Sequence, residues 1–322
     1  MTFLYAYGLF FAKALTLLVF FLLAVAGIAL INRKAKPKLE ILSLNQEQNE
    51  IRQRMAYEIK NKKTKKKKEK LSTPRPSLYV IDFHGDIKGT DIGPLKEAIN
   101  ALLSIAETGD EVLIRLESGG GIVNSYGLAA SQLQRIRQRG IQLTVCIDKV
   151  AASGGYLMAC VANRLIAAPF AMVGSIGVVA QLPNFHRWLK KNDIDVELLT
   201  AGEYKRTLTL FGENTSKGRE KFQEDLETIH QVFKNYVLAN RPQLEMDKVA
   251  TGEHWLGVEA LDLNLVDEIK TSDDYLSEQM KTFNAFQIKV HVKKSFFEKL
   301  RPHSSLSEYG HLSELNKKLL IG

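Results

Sequence analysis

The sequence predicts an α/β fold: βα units around a mainly parallel sheet, behind one N-terminal transmembrane helix. Three observations lead there. Short apolar runs alternate with amphipathic stretches from Ser77 onward. Glycines close several of those stretches, as Gly109 and Gly140 do. An uncharged run, Ala14 to Ile31, precedes them all. The 322 residues, 45% hydrophobic and 25% charged, suit one large globular domain with appendages and exclude a mainly disordered or fibrous chain.

The apolar run reads ALTLLVFFLLAVAGIALI. As a helix it is about 27 Å long at 1.5 Å per residue. Extending it back to Leu9 adds only Lys13, whose stem can snorkel, and brings it to the thickness of a hydrocarbon core. Ala24-Val25-Ala26 also matches the cleavage site of a signal peptide. Against cleavage, the segment before Lys13 is apolar rather than basic, and the apolar run continues past that site. Residues 1–31 are therefore expected to be a membrane anchor, spanning over about 9–31. Arg33, Lys34, Lys36 and Lys38 follow the span and one lysine precedes it, a bias toward a cytoplasmic C-terminal bulk.

Residues 32–73 are polar and rich in Lys, Gln and Glu. They are expected to be a basic juxtamembrane linker or pre-domain, with some helix in LNQEQNEIRQRMAYEIK. The formal net charge is +8, and Lys60 to Lys70 alone carries +7 through eight Lys and one Glu. The basicity is thus a tail, suited to a solvated linker or to anionic lipid, and not a basic domain face. With no recognition-helix or RNP-type signature, nucleic acid is not an expected partner.

The globular part is expected over 74–290, with 291–322 a C-terminal tail. SLYVIDFHGDI reads as a strand ending in a Gly turn, and GPLKEAINALLSIAETG as an amphipathic helix stopped by Gly109. EVLIRLES is a buried strand before Gly119-Gly120-Gly121, and NSYGLAASQLQRIRQRG a helix stopped by Gly140. IQLTVCID is another buried strand. In the apolar stretch after Asp148, a helix is expected at about 154–162 and strands at about 164–168 and 176–180. Asn163, Arg164, Pro169 and the glycines argue against a second membrane span there. FHRWLKKND reads as helix and DVELLTAGEYKR as a strand running into a loop. SKGREKFQEDLETIHQVFKNYVLANRP is a long helix, with Phe222, Leu226, Ile229, Phe233 and Val237 at helical spacing.

Cys146 and Cys160 both sit in apolar runs, so they read as buried free thiols, and a disulfide scaffold or Cys-rich zinc module is excluded. Ser153 lies in Ala151-Ala152-Ser153-Gly154-Gly155, after a strand and loop and before a helix, with small neighbours that leave room for a substrate backbone. A Ser before Gly-Gly is more often a helix N-cap, and this is not the G-x-S-x-G elbow. A serine nucleophile needs a base. None of the seven histidines lies in a setting that suggests a triad, whereas a lysine serves if burial disfavours its ammonium form. Lys205, just past the run ELLTAGEY, would by itself be an unremarked surface lysine.

Together ESGGG, DKVAASGGYLMACVA, MVGSIGV and TAGEYKRTLTLFGEN resemble the signal peptide peptidase A family of serine proteases, within the Clp protease/crotonase superfamily. Within that family the chain is most similar to the SohB-type branch, over most of residues 40–290. Ser175 follows Ser153 by 22 residues and Lys205 follows it by 52, and the motifs are specific in combination. The resemblance implies a crotonase/Clp-like superhelix and a serine endopeptidase working by a Ser/Lys dyad and an acyl-enzyme. It implies Ser153 as nucleophile, Lys205 as general base and Ser175 as the residue that orients the lysine amine. It places the oxyanion hole at the N–H of Gly120, or its neighbour Gly121, and that of Gly154. It also implies peptide substrates, namely remnant signal peptides or membrane-derived peptides, and a ring-like homo-oligomer in the bacterial inner membrane. No cofactor or metal is called for. The family places the active site on the periplasmic side, whereas the charge bias says cytoplasm. Two departures stand out. The family's Ser-Pro-Gly-Gly is here Ser118-Gly119-Gly120-Gly121, which loosens the loop, and its Gly-Leu-Val-Asp is Asn264-Leu265-Val266-Asp267. Asn tolerates positive φ, so the fold is expected to be unchanged. The alternatives are an inactive membrane scaffold of the same fold and a crotonase-type CoA-thioester enzyme.

Overall fold

A computed structural model describes residues 2–31, 38–60 and 75–291. Residues 32–37, the Lys-rich tract from residue 61 and the tail from residue 292 lie outside the described residues. The chain divides into two units, residues 1–38 with 291–322, and residues 39–290.

In the first unit, helix α1 runs from Thr2 to Ile31. Its side chains are described continuously from residue 7 to residue 23, and Phe10, Leu17 and Phe20 among them are exposed. Among the described residues no helix is long and apolar enough to cross a membrane. The run Ala14 to Ile31 falls only partly within those side chains, so the expected transmembrane helix is not met there.

The second unit opens with β1 (Lys38–Ser43) and α2 (Leu44–Lys60). Then come β2 (Ser77–Gly85), α3 (Ile92–Leu103), β3 (Glu111–Ser118), α4 (Val123–Gln138) and β4 (Gln142–Ile147). Next are β5 (Val150–Ala152), α5 (Gly154–Ala159), β6 (Arg164–Ala167), β7 (Met172–Gly174), α6 (His186–Lys191) and α7 (Ser216–Asn240). The chain closes with α8 (Met246–Val249), β8 (His254–Leu256), α9 (Gly257–Asp262), β9 (Glu268–Ile269), α10 (Ser272–Gln279) and β10 (Asn284–His291). The main sheet has the order β1-β10-β2-β3-β4-β6-β9. A branch carries β5 on β3, β7 on β5 and β8 on β7. The pairs from β10–β2 through β6–β9 are parallel, while β7–β8 is antiparallel, so the sheet is mixed.

The period of two along each central strand divides the core between the sheet's faces. Tyr79, Ile81, Phe83, Val112, Ile114, Leu143 and Val145 pack with α3, α4 and α5. Leu78, Val80, Leu113, Cys146 and Ile166 face Tyr275 and Met280 on the other side. Both faces are covered, which is why β2, β3 and β4 read as near-continuous apolar runs. Ile92, Leu95, Ile99 and Leu102 recur at helical spacing and are buried, each stabilising the fold by about 2 kcal/mol. Both cysteines are free and buried, and burial pushes the Cys160 thiol up to about 12, which leaves it unreactive near neutral pH.

Several expectations are corrected. The polar stretch expected to be a linker holds, among its described residues, not only helix α2 but also strand β1, which joins the sheet beside β10. Asn45 ties it down, its amide donating to Met280 O and Phe283 O and its oxygen accepting from Ala285 N–H. Helix α3 stops at Leu103, well before Gly109, because Ser104 turns its hydroxyl onto Ala101 O at 2.6 Å. Asp110 holds the following loop by accepting from the N–H groups of Ser77 and Glu107. The strand expected at 176–180 is instead β7, because Gly174 (φ 109°) and Ser175 (φ 53°) turn the chain out of extended geometry. DVELLTAGEYKR forms no strand, and residues 191–206 are exposed, with no neighbouring strand to pair their backbone.

Candidate active site

The branch strands build the site. Ser118 at the end of β3 pairs with Ala151, and Ala152 of β5 pairs with Gly174 of β7. The residues that follow these three strand ends are the Gly run, Ser153 and Ser175. A parallel ladder therefore sets three candidate elements side by side, although they are far apart in sequence.

Ser153 has φ 51° and ψ −118°, a conformation that L residues rarely adopt. Its N–H donates to Gly174 O at 2.9 Å and its carbonyl accepts from Leu157 N–H. It sits at the N-cap of α5, yet its hydroxyl makes no capping hydrogen bond. The N-cap explanation for a serine before Gly-Gly therefore fails, and the strained backbone presents a half-buried hydroxyl that α5 does not use.

The glycines around it are sterically required. A Cβ on Gly120, whose φ is +91°, would lie 2.7 Å from Gly154 N and 2.9 Å from Ser153 Cβ. A Cβ on Gly154 would lie 2.6 Å from Cγ of Tyr126. The Gly-rich loop thus packs directly onto the serine turn. Gly120 N–H donates to Ser118 Oγ at 3.1 Å. Gly119, where the resembling family has Pro, has open space around its Cβ position.

Ser175 is half-buried, and its N–H donates to Glu253 O at 2.6 Å. Just beyond it, Ile176 O meets His230 Nε2 at 3.1 Å. None of the described histidines hydrogen-bonds Ser153. Lys205 lies in a bend after α6, with its N–H on Gly202 O at 3.2 Å. Its side chain is exposed and its ammonium makes no hydrogen bond or ion pair with either serine. Ser153, Ser175, Gly120, Gly121 and Gly154 thus cluster through the branch strands and the Gly loop, while the single chain leaves Lys205 unattached to them. Among the described residues, no group of three or more His, Cys, Asp or Glu could hold a metal.

Behind the site, Tyr156 of α5 donates its hydroxyl to Leu265 O at 2.9 Å. Arg241, nearly buried, donates to both carboxylate oxygens of Asp267 (2.6 and 3.2 Å) and to Asn264 O. Asn264 has φ 59°, left-handed geometry that Asn tolerates better than most residues. Sequence reading passed over Tyr126. Its only signal was a place in the first turn of α4, just past the Gly run.

Comparison with known proteins follows the same lines. Residues 135–285 match the model of Peptidase family S49, and residues 2–133 match that of Peptidase family S49 N-terminal. The chain is 50% identical to "Probable protease SohB" of Haemophilus influenzae, over 91% of this chain and 90% of that one. It is 48% identical to "Probable protease SohB" of Buchnera aphidicola subsp. Schlechtendalia chinensis, over 86% of this chain and 99% of that one. Among solved structures it is similar to the ClpP protease catalytic domain from Plasmodium falciparum, with TM-score 0.39 and 10% identity over 60% of this chain and 85% of that one. Half of its residues are shared with a named protease along nearly the full length of both, and the chain belongs to Peptidase family S49.

Proposed function

We propose that the protein is a membrane-anchored serine endopeptidase with Ser153 as nucleophile, Lys205 as general base and Ser175 orienting the lysine amine. The observation that carries this reading is the strained Ser153 turn, whose hydroxyl caps nothing and against which the loop packs so closely that Gly120 has no room for a Cβ. Gly120 N–H is already bonded to Ser118, which favours Gly121 and Gly154 as the N–H groups that receive the oxyanion.

In this scheme Ser153 Oγ attacks the scissile carbonyl carbon and its proton passes to Lys205 Nζ. The carbonyl electron pair moves onto oxygen, between the two N–H groups. Collapse breaks the C–N bond, the lysine proton goes to the leaving amine, and an acyl-Ser153 ester remains. Water then attacks the ester, giving a proton to Lys205; the Ser153 Oγ–C bond breaks, Lys205 returns that proton to Oγ, and the peptide acid leaves with Ser153 and the neutral lysine regenerated.

Lys205 needs desolvation to act as a base. The exposed apolar side chains Val179, Leu182, Phe185, Trp188, Val196 and Leu199 flank it in sequence and suit burial against a second copy of the chain. A homo-oligomer fits that need. Substrates would be remnant signal peptides or membrane-derived peptides, and the anchor in the inner membrane would hold the domain near them.

A fluorophosphonate probe tests the proposal on the full chain. It should label Ser153, and Ser153→Ala should lose labelling and peptide hydrolysis while keeping the wild-type melting temperature. Residual hydrolysis above about a thousandth of the wild-type rate would move the nucleophile elsewhere. Absence of labelling in the wild type would favour an inactive scaffold or a thioester enzyme.

A further inference from the structure

The geometry points to Tyr126 and Ser118 as positioning residues that hold the Gly-rich loop and the Ser153 turn in register for the developing oxyanion. This inference rests on the serine peptidase reading of Ser153. Both side chains are buried, Tyr126 at 0% and Ser118 at 2% exposure. Tyr126 Oη lies 2.8 Å from Asp86 O, placed to donate to it. Its 2.6 Å contact with Ser118 Oγ takes either hydroxyl as the donor. Ser118 Oγ is also placed to donate to Gly85 O at 3.2 Å, and it accepts from Gly120 N–H at 3.1 Å.

Gly120 N–H thus donates into a buried pair of linked hydroxyls, Ser118 and Tyr126, whose acceptors are the carbonyls of Gly85 and Asp86. Linked hydrogen bonds polarise each other and resist rearrangement in a buried setting. The same tyrosine ring underlies Gly154, whose Cβ would fall 2.6 Å from its Cγ. One residue therefore touches both halves of the candidate oxyanion hole: the Gly loop through Ser118, and the serine turn through its ring. The space is tight on the third side too. A Cβ on Gly85 would lie 2.4 Å from Tyr126 Oη and 2.5 Å from Ser118 Oγ. Both hydroxyls are buried, so deletion of either oxygen leaves its partners short of a hydrogen bond.

The peptide planes at Gly120 and Gly121 have no side chains of their own to fix them, and Gly119 before them has none either. The buried pair of hydroxyls stiffens the loop from beneath. Its effect belongs to the transition state, where the N–H groups must already point at the oxyanion, and not to ground-state peptide binding.

The test uses the full-length protein in detergent, with a quenched fluorogenic apolar peptide and a fluorophosphonate probe. Tyr126→Phe and Ser118→Ala should each lower kcat, per folded chain, by about 10- to 100-fold, with KM within about two-fold. The rate of fluorophosphonate labelling should fall by a similar factor, because the phosphonyl oxygen uses the same N–H groups. The double variant should lose no more than the worse single variant, since both break one chain. A lower melting temperature with kcat per folded chain unchanged would show a structural role only and overturn the inference. A rise in KM alone, or multiplied losses in the double variant, would overturn it as well. If the wild type itself is neither labelled nor active, the peptidase reading falls and takes this inference with it. A labelled, active wild type with equally active variants sinks this inference alone.

Discussion

Lys205 stands exposed in a single chain, and its ammonium has no hydrogen-bond partner among the described residues. Base catalysis needs a neutral amine, and desolvation is what disfavours an ammonium. A guanidinium does not give up its proton near neutral pH under any burial a protein supplies. Lys205→Arg is therefore expected to be as inactive as Lys205→Ala, at least about a thousand-fold below wild type in kcat/KM for the fluorogenic peptide. A tenth of wild-type activity in Lys205→Arg would assign the base to another residue. Ser175 is judged by the same assay. Its positive φ of 53° and its N–H bond to Glu253 O fix its backbone independently of the hydroxyl.

At the scale of elements, α7 is pinned at both ends. Thr215 accepts from Gly218 N–H at its start. Arg241 at its C-cap clamps Asp267 and Asn264 just before β9. Asp267 also accepts from Leu165 N–H at 2.7 Å, so one carboxylate joins α7, β6 and the turn into β9. Among the described residues Arg241 Nε has no hydrogen-bond partner, and Asp267 supplies the counter-charge to the guanidinium. Asp267→Ala leaves a buried arginine uncompensated and is expected to cost about 3 kcal/mol of stability. Urea unfolding followed by tryptophan fluorescence checks this, and a loss under about 1 kcal/mol would mean that the arginine finds water or another acceptor. Because Tyr156 of α5 bonds Leu265 O in the same turn, the loss should reach the serine turn from behind.

At the scale of the whole molecule, the question is attachment and sidedness. The run Ala14 to Ile31 has no charge, and four cations follow it closely. The rule that positive residues stay inside weighs mainly those within about 15–20 residues of the span, so Arg33, Lys34, Lys36 and Lys38 count for more than the tract beginning at Lys60. The protein is expected to stay in the membrane pellet after carbonate treatment, and release into the supernatant would overturn the anchor. The charge bias leans to a cytoplasmic domain. Protease added to intact spheroplasts should then leave the domain whole, and digestion without lysis would overturn that lean. The exposed apolar side chains from Val179 to Leu199 lie in a run that forms no strand of its own.

Local pattern determined what is local. The boundaries of β3 and of α2, the helical stripe of α7 and the burial of both thiols follow from periodicity and composition, because each depends on residues a few positions apart. Family motifs singled out Ser153, Ser175 and the Gly run. Tertiary structure alone decided that β1 joins the sheet, that β5 and β7 form a branch beside β3, and that the run after α6 stays unpaired. These depend on which backbone groups find partners from distant segments, which no window of sequence contains. The same holds for Tyr126. Its neighbours Asp86, Ser118 and Gly154 come from three different strand ends, and only the fold brings them around one phenol.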